Sequence, residues 1–142
     1  MADQKPAVSA AEFAQLLAKS MPQTVKAGMA VEAAEYGMMR LRMGPSEEMI
    51  RPGGTMSGPA MFALADVALY GAVLTRIGLV ALAVTSNMNI TFLRKPAPKP
   101  LIAEARVIRL GKRLAYGDIT VWSEGEEEPV AHATGTYSIP SS

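Results

Sequence analysis

The sequence predicts an α+β domain in which a mostly antiparallel sheet of six strands wraps around one long apolar helix. Its segments follow the order short helix, two strands, long helix and four strands, which is typical of the α+β class. The run from Ser57 to Ile77 is rich in Ala, Leu and Met, so this helix must be covered almost all round. The length of 142 residues suits one domain, 1–142, with a hydrophobic core.

The N-terminal third is predicted to form a short helix and two strands. Ser9 and Glu12 have the spacing of a capping box, and apolar residues follow at helical intervals over about 9–21. Met29–Glu35 and Gly37–Met43 are predicted strands, because apolar residues alternate with arginines in the second one. The segment that follows, up to the long helix, is rich in proline and glycine and predicts a loop, Gly44–Gly54.

The C-terminal half is predicted to be entirely β-structure after Gly78 ends the long helix. Prolines, a Gly-Lys-Arg turn and an acidic turn separate runs of β-branched and alternating residues. The predicted strands are Leu82–Leu93, Leu101–Leu110, Leu114–Ser123 and Pro129–Ile139.

The composition excludes several kinds of chemistry within one chain. There is no cysteine and only one histidine, His132, which rules out thiolate nucleophiles, disulfides, iron–sulfur clusters and multi-histidine metal sites. Fourteen basic and thirteen acidic residues leave a net charge of +1, which predicts neither a nucleic-acid nor a membrane partner. No signal-peptide pattern is visible, and Asp66 interrupts the longest apolar run, so we expect a cytoplasmic protein.

Asp66 is a candidate catalytic residue because it is the only charged residue between Arg51 and Arg76. A carboxylate in an apolar helix costs free energy unless a partner stabilises it. Three explanations account for a charged residue at this position: it faces solvent, it lies at a subunit interface, or it is catalytic.

The start of the long helix is a second candidate feature. Ser57 is suited to an N-cap and Pro59 to the first turn, and a helix start offers N–H groups to an anion or an oxyanion. Asp66 follows this start by two turns, about 12 Å, so one carbonyl group cannot contact both. If the two features act together, they come from two chains whose helices run antiparallel across a two-fold axis.

Several segments resemble the hotdog-fold thioesterases of the PaaI/4-hydroxybenzoyl-CoA type. Gly54–Pro59 and Ala63–Asp66 resemble the opening and the carboxylate of that family's central helix, and the later matches are Thr85–Arg94, Leu110–Ala115 and Ala131–Tyr137. The resemblance spans about residues 30–139. It implies a hotdog fold, homodimers that share a continuous sheet and often pair into homotetramers, and hydrolysis of acyl-CoA or aroyl-CoA thioesters at the dimer interface.

The resemblance also implies roles for individual residues. Asp66 would be the nucleophile or general base, the Gly58 amide would polarise the thioester carbonyl from the partner subunit, and Thr85 occupies the place of a hydroxyl near the attacking water. Ser57 stands where the family has histidine, and Arg51 stands where it commonly has Asn or Gln. Arg51 can bind a substrate carboxylate or pair with Asp66.

A cationic segment supplies candidates for binding coenzyme A. Seven basic residues and one acidic residue, Glu104, lie within 94–113, and solvated strand edges are the alternative explanation. The candidate CoA-binding residues are Asn89, Arg94, Lys95, Lys112 and Arg113. We expect no metal and no cofactor other than the coenzyme A of the substrate.

Two other functions are alternatives to hydrolysis. Arg51, Ser57 and Pro59 differ from the family pattern, and Pro59 replaces the family's second glycine. These differences favour a non-catalytic hotdog protein that binds acyl-CoA or a related ligand. A hotdog hydratase would use an Asp/His pair, which is disfavoured because His132 lies far downstream in the terminal strand.

Overall fold

The computed structural model describes residues 4–44, 50–51 and 55–141, so most of the predicted loop Gly44–Gly54 lies outside the described residues. The helices are α1 (Ala10–Ser20), α2 (Pro22–Lys26) and α3 (Gly58–Ile77). The strands are β1 (Met29–Glu35), β2 (Met38–Met43), β3 (Ile50–Arg51), β4 (Thr55–Met56), β5 (Val84–Phe92), β6 (Leu101–Leu110), β7 (Leu114–Ser123) and β8 (Pro129–Ser138).

Six of these strands form one antiparallel sheet in the order β1-β2-β6-β7-β8-β5. The predicted α+β architecture, a six-stranded antiparallel sheet around a central helix, is confirmed. The sequence analysis did not predict α2 or the small β3–β4 ribbon. Strand β5 begins at Val84, two residues later than predicted, because Leu82 belongs to the turn that follows α3.

The core lies between α3 and the concave face of the sheet. Gly117 on β7 and Gly135 on β8 allow the helix to approach closely, because a Cβ atom at either position would lie 2.8 Å from the side chain of Leu69. Helix α3 is long and apolar enough to cross a membrane, but 72% of its most apolar window is buried in the protein. It is therefore the core helix of this domain.

An irregularity in the edge strand β5 sets the orientation of the candidate site residues. Thr85 pairs with Tyr137 and Asn87 pairs with Thr136, so Ser86 is an extra residue between the two pairs. Because cross-strand partners share a face, Thr85 lies on the face of buried Tyr137, toward α3. Without this extra residue, a strict alternation along β5 would place Thr85 on the outer face with Asn87.

Candidate active site

One side of α3 is not covered by the sheet. Pro59 and Phe62 are exposed, and Ala63 and Asp66 are half-buried. These positions have the spacing of one helical face, and most of the remaining helix is buried. The only charged residue between Arg51 and Arg76 therefore lies on the open face of an otherwise buried helix, beside β5.

Two hydroxyl groups hold one oxygen of the Asp66 carboxylate. Thr85 Oγ1 donates a hydrogen bond to Asp66 Oδ1 over 2.7 Å, and Tyr137 Oη donates to the same oxygen over 2.7 Å. The backbone oxygen of Asp66 lies farther from Tyr137 Oη, at 3.1 Å. Among the residues that the structure describes, no donor contacts Oδ2. The second carboxylate oxygen is thus available to a water molecule or a substrate.

Tyr137 was not singled out by the sequence analysis. Its side chain is 4% exposed, and its ring stacks on Tyr70 with centroids 5.7 Å apart. Burial, followed by the charge of Asp66, raises the pKa of Tyr137 well above the usual tyrosine range, so the hydroxyl remains a donor at neutral pH. The pairing of Thr85 with Tyr137 locates this residue, and that register depends on the irregularity at Ser86.

A cleft of about 420 Å³ adjoins Asp66. Its wall includes Met21 from the junction of α1 and α2, Tyr70 from α3, and three apolar residues before and within β5. Tyr70 Oη donates to the backbone oxygen of Ala81 over 3.1 Å, which ties the turn after α3 to the helix. The full lining is Met21, Asp66, Tyr70, Ala81, Ala83, Val84, Thr85 and Tyr137.

The start of α3 leaves one amide group free. Ser57 is the N-cap: its Oγ accepts from the amide of Ala60 over 3.2 Å, and its backbone oxygen accepts from the amide of Met61 over 3.1 Å. Pro59 has no N–H group. Within the described part of the chain, the Gly58 amide has no acceptor. Serine therefore performs the capping role at the position where the resemblance places histidine.

A second cavity, of about 500 Å³, opens at the start of α3. It is lined by Met56, Gly58, Met61, Phe92, Leu93, Arg94, Lys95 and Pro96. Two of the predicted CoA-binding residues, Arg94 and Lys95, thus lie beside Gly58. Arg94 is partly neutralised because it forms an ion pair with Glu128, which lies in the acidic turn between β7 and β8.

The other two basic candidates lie near the opposite end of the site. Lys112 and Arg113 form the turn between β6 and β7. Leu114 and Val84 both pair with Ser138, so this turn is two strand spacings, about 10 Å, from the start of β5. The four basic candidates therefore fall into two groups, one at the Gly58 end and one at the Asp66 end of the open face.

Two predicted residues are not brought to Asp66 by the described structure. Asn89 pairs with Thr134 on the outer face of the sheet, opposite to the face that packs on α3. Arg51 pairs with Thr55 in the β3–β4 ribbon, and its side chain lies outside what the structure describes.

The single histidine belongs to a different part of the molecule. His132 Nε2 lies 3.2 Å from Asp118 Oδ2 on the outer face of the sheet. The Asp/His pair of a hydratase is therefore not formed with Asp66. The described residues also contain no group of three or more side chains suited to a metal ion.

Comparisons with known proteins agree with the fold and with the general chemistry. Residues 53–130 match the profile of the thioesterase superfamily. A proposed esterase of Saccharolobus solfataricus is 35% identical over 112 residues, which is 79% of this chain and 73% of that protein.

Solved structures give the same result over nearly the whole chain. The crystal structure of a proposed thioesterase from Silicibacter sp. TM1040 has a TM-score of 0.88 and 43% identity, covering 96% of this chain and 95% of that one. The PaaI protein of the E. coli phenylacetic acid degradation operon has a TM-score of 0.81 and 26% identity, covering 93% and 94%. These likenesses support thioester hydrolysis as the general activity. The chain belongs to the thioesterase superfamily and has the hotdog fold of the PaaI-like thioesterases.

Proposed function

We propose that the protein hydrolyses acyl-CoA thioesters at a dimer interface, with Asp66 as nucleophile or general base. The observation that carries the proposal is the state of Asp66 on the open face of the core helix. Two hydroxyl groups hold Oδ1, whereas Oδ2 accepts from no donor among the described residues. As a general base, Oδ2 takes a proton from water, the hydroxide attacks the carbonyl carbon, and the C–S bond breaks to release the acid and the CoA thiol. As a nucleophile, Oδ2 attacks the same carbon, the C–S bond breaks to release the CoA thiolate, and water then hydrolyses the acyl–Asp66 anhydride to release the acid.

The second half of the site comes from the partner subunit. The Gly58 amide is unpaired among the described residues and lies at the positive end of the α3 dipole, which suits the oxygen of the tetrahedral intermediate. Within one chain it is about 12 Å from Asp66. A two-fold axis near the midpoint of this interval, at Phe62, brings Gly58 of each chain to Asp66 of the other.

The surface around that midpoint has the character of an interface. The side chain of Phe62 is 38% exposed and that of Phe92 is 49% exposed. Both line an apolar cleft of about 440 Å³, together with Gly58, Pro59, Ala63 and Ile90. Strand β5 also leaves one edge of the sheet without a partner among the described strands, and such an edge is a template for pairing. Antiparallel pairing of two β5 strands joins the sheets and buries the apolar cleft.

The same symmetry unites the two groups of basic residues. Arg94 and Lys95 follow the end of β5 that adjoins Gly58, whereas Lys112 and Arg113 lie near its beginning. Antiparallel pairing places the end of β5 in one chain beside the beginning of β5 in the other. Each site then has cations from both chains available for the phosphates of coenzyme A. Asn89, in the middle of β5, lies near the axis.

The experiment is a thiol-release assay over a panel of acyl-CoA and aroyl-CoA esters, with D66N and D118N as a matched pair. Both substitutions neutralise one carboxylate, but Asp118 lies on the outer face. We expect D66N to lose about 10²- to 10⁴-fold in kcat and D118N to retain wild-type turnover. Tight binding of acyl-CoA without hydrolysis by the wild type, or full activity of D66N, contradicts the proposal. A monomer at micromolar concentration in light scattering contradicts the shared site.

A further inference from the structure

We infer that the cleft beside Asp66 is the acyl subsite and that it selects uncharged acyl groups of limited length. This inference rests on the proposed thioesterase function and deepens it. It assigns a binding role to the side chains of Met21, Tyr70, Ala81 and Ala83, none of which takes part in the chemical step.

Charge distinguishes the two cavities that meet at the reacting carbonyl. The cavity at Gly58 is lined by Arg94 and Lys95, which suits the anionic coenzyme. In the cleft beside Asp66, the lining residues that the structure describes carry no charge other than that of Asp66 itself. The anionic arm of the thioester is therefore stabilised at the partner's Gly58 cavity, and the acyl arm enters the cleft beside Asp66.

The lining of this cleft disfavours an acyl group that ends in a carboxylate. Such a group brings a second negative charge close to Asp66, and the described lining residues offer no cation to pair with it. An unpaired charge in a largely apolar cleft is costly. We therefore expect succinyl-CoA and malonyl-CoA to have kcat/KM values lower by more than about tenfold than neutral esters of the same chain length.

Met21 limits the length of the acyl group. It lies at the junction of α1 and α2, and its side chain is part of the cleft wall. Each methylene that is newly buried raises kcat/KM about fourfold, so activity increases with chain length until the cleft is full. Shortening this side chain makes room for further methylenes.

The test measures kcat/KM for saturated acyl-CoA esters of increasing length and for succinyl-CoA and malonyl-CoA. Met21→Ala is expected to shift the optimum to longer chains, whereas Leu16→Ala, a half-buried position on α1 outside the cleft, is not. Ala81→Arg places a cation on the rim and is expected to raise the relative rate on succinyl-CoA.

Three outcomes are distinguishable. Discrimination against the carboxylated esters with a length optimum that moves in Met21→Ala supports the subsite. Turnover of neutral and carboxylated esters at equal rates, or an active Met21→Ala enzyme with an unchanged optimum, overturns it while leaving the thioesterase function intact. Absence of turnover on every ester overturns the proposed function itself.

The hydrogen bonds at Asp66 carry a second inference independently: we infer that Tyr137 is a positioning residue for this carboxylate. Its hydroxyl and that of Thr85 both donate to Oδ1, which fixes the carboxylate and directs Oδ2 away from them. The Tyr137 hydroxyl acts through Asp66, because it donates to the carboxylate. Among the residues that line the cleft, Asp66, Tyr70 and Tyr137 are the only ionisable ones.

Tyr137→Phe tests this role, with Tyr116→Phe as the control. Each substitution removes one tyrosine hydroxyl, but Tyr116 is exposed on β7 and does not line the cleft. We expect Tyr137→Phe to lower kcat about ten- to hundredfold with little change in KM. Loss of a donor favours the protonated carboxylic acid, so the acidic limb of the pH profile of kcat/KM moves to higher pH. Tyr116→Phe is expected to change neither quantity.

A merely structural role would lower the melting temperature of Tyr137→Phe without moving the pH profile. An unchanged kcat and pH profile in this variant, or changes no larger than those in Tyr116→Phe, overturn the inference. If Tyr137→Phe does not fold, 3-fluorotyrosine at position 137 replaces it, since this residue keeps the shape and is a stronger donor. The acidic limb is then expected to move to lower pH, and an unmoved limb contradicts the positioning role.

Discussion

The amide hydrogen of Gly58 can be removed by substitution while helix α3 still forms. This makes it the most informative atom of the site to delete. Proline is well tolerated at the first position of a helix, where its missing N–H has no intrahelical partner. The residue before a proline favours extended backbone geometry, and Ser57 already has φ −79° and ψ 163°. Gly58→Pro therefore removes the proposed donor to the thioester oxygen while preserving the Ser57 cap.

Gly58→Ala separates the loss of this donor from the effect of added bulk. A Cβ atom at position 58 would lie 3.3 Å from Cζ of Phe92, which is slightly close. The Phe92 side chain is 49% exposed and can move by a few tenths of an ångström. We therefore expect Gly58→Ala, which keeps the amide, to lose less than about tenfold in kcat, within the range of a small packing change.

Gly58→Pro is expected to lose about 10²- to 10³-fold in kcat, the usual cost of one oxyanion donor. The assay is thiol release from the best acyl-CoA ester, with thermal unfolding of both variants to establish that α3 still forms. Equal activity of well-folded Gly58→Pro and Gly58→Ala proteins would show that the Gly58 amide is not the donor to the thioester oxygen, because the two variants differ chiefly in the amide hydrogen.

Three further predictions concern stability. Ser57→Ala removes the side-chain cap on the Ala60 amide and is expected to lower the free energy of unfolding by about 1 kcal/mol in urea titrations; an unchanged midpoint contradicts the capping role. Gly117→Ala forces a methyl group against the backbone oxygen of Arg106 and the side chain of Leu69 and is expected to cost about 1–3 kcal/mol, whereas Gly111→Ala, whose nearest neighbour would lie at 3.5 Å, costs far less. Because burial and Asp66 raise the pKa of Tyr137, the folded protein keeps this proton where the unfolded chain loses it, so the free energy of unfolding falls as pH rises above about 10. Denaturant titrations should give a shallower fall for Tyr137→Phe, and an equal slope would contradict this assignment.

The elements that depend on local pattern could be predicted from the sequence. The capping box of Ser9 and Glu12 is formed at the start of α1. Ser57 is the N-cap of α3, and the helix ends at Ile77 before Gly78. Each of these signals lies within a few residues of the feature that it predicts, and the apolar character of α3 is sufficient to indicate a covering sheet.

Features that depend on strand register could not be predicted. Tyr137 and Thr85 both contact Asp66 because β5 pairs with β8 with an extra residue at Ser86. No local sequence pattern predicts this shift in register. The same register places Asn89 on the outer face, although it lies in a segment that resembles the family. The ion pair between Arg42 and Glu124 of the acidic turn could not be predicted for a similar reason. Arg42 lies on a strand 82 positions earlier in the chain, so the contact depends on the order of the strands.

Complementation between D66N and Gly58→Pro tests most directly whether each catalytic site is shared between two subunits. Each variant alone is expected to lose at least about 10²-fold in kcat. If every site takes Asp66 from one chain and Gly58 from the other, co-expression of the two variants in equal amounts leaves about one quarter of the sites intact. The purified mixture is then expected to hydrolyse its best acyl-CoA ester at about one quarter of the wild-type rate. A mixture that assembles but is no more active than the two variants measured separately would contradict a catalytic site shared between two subunits.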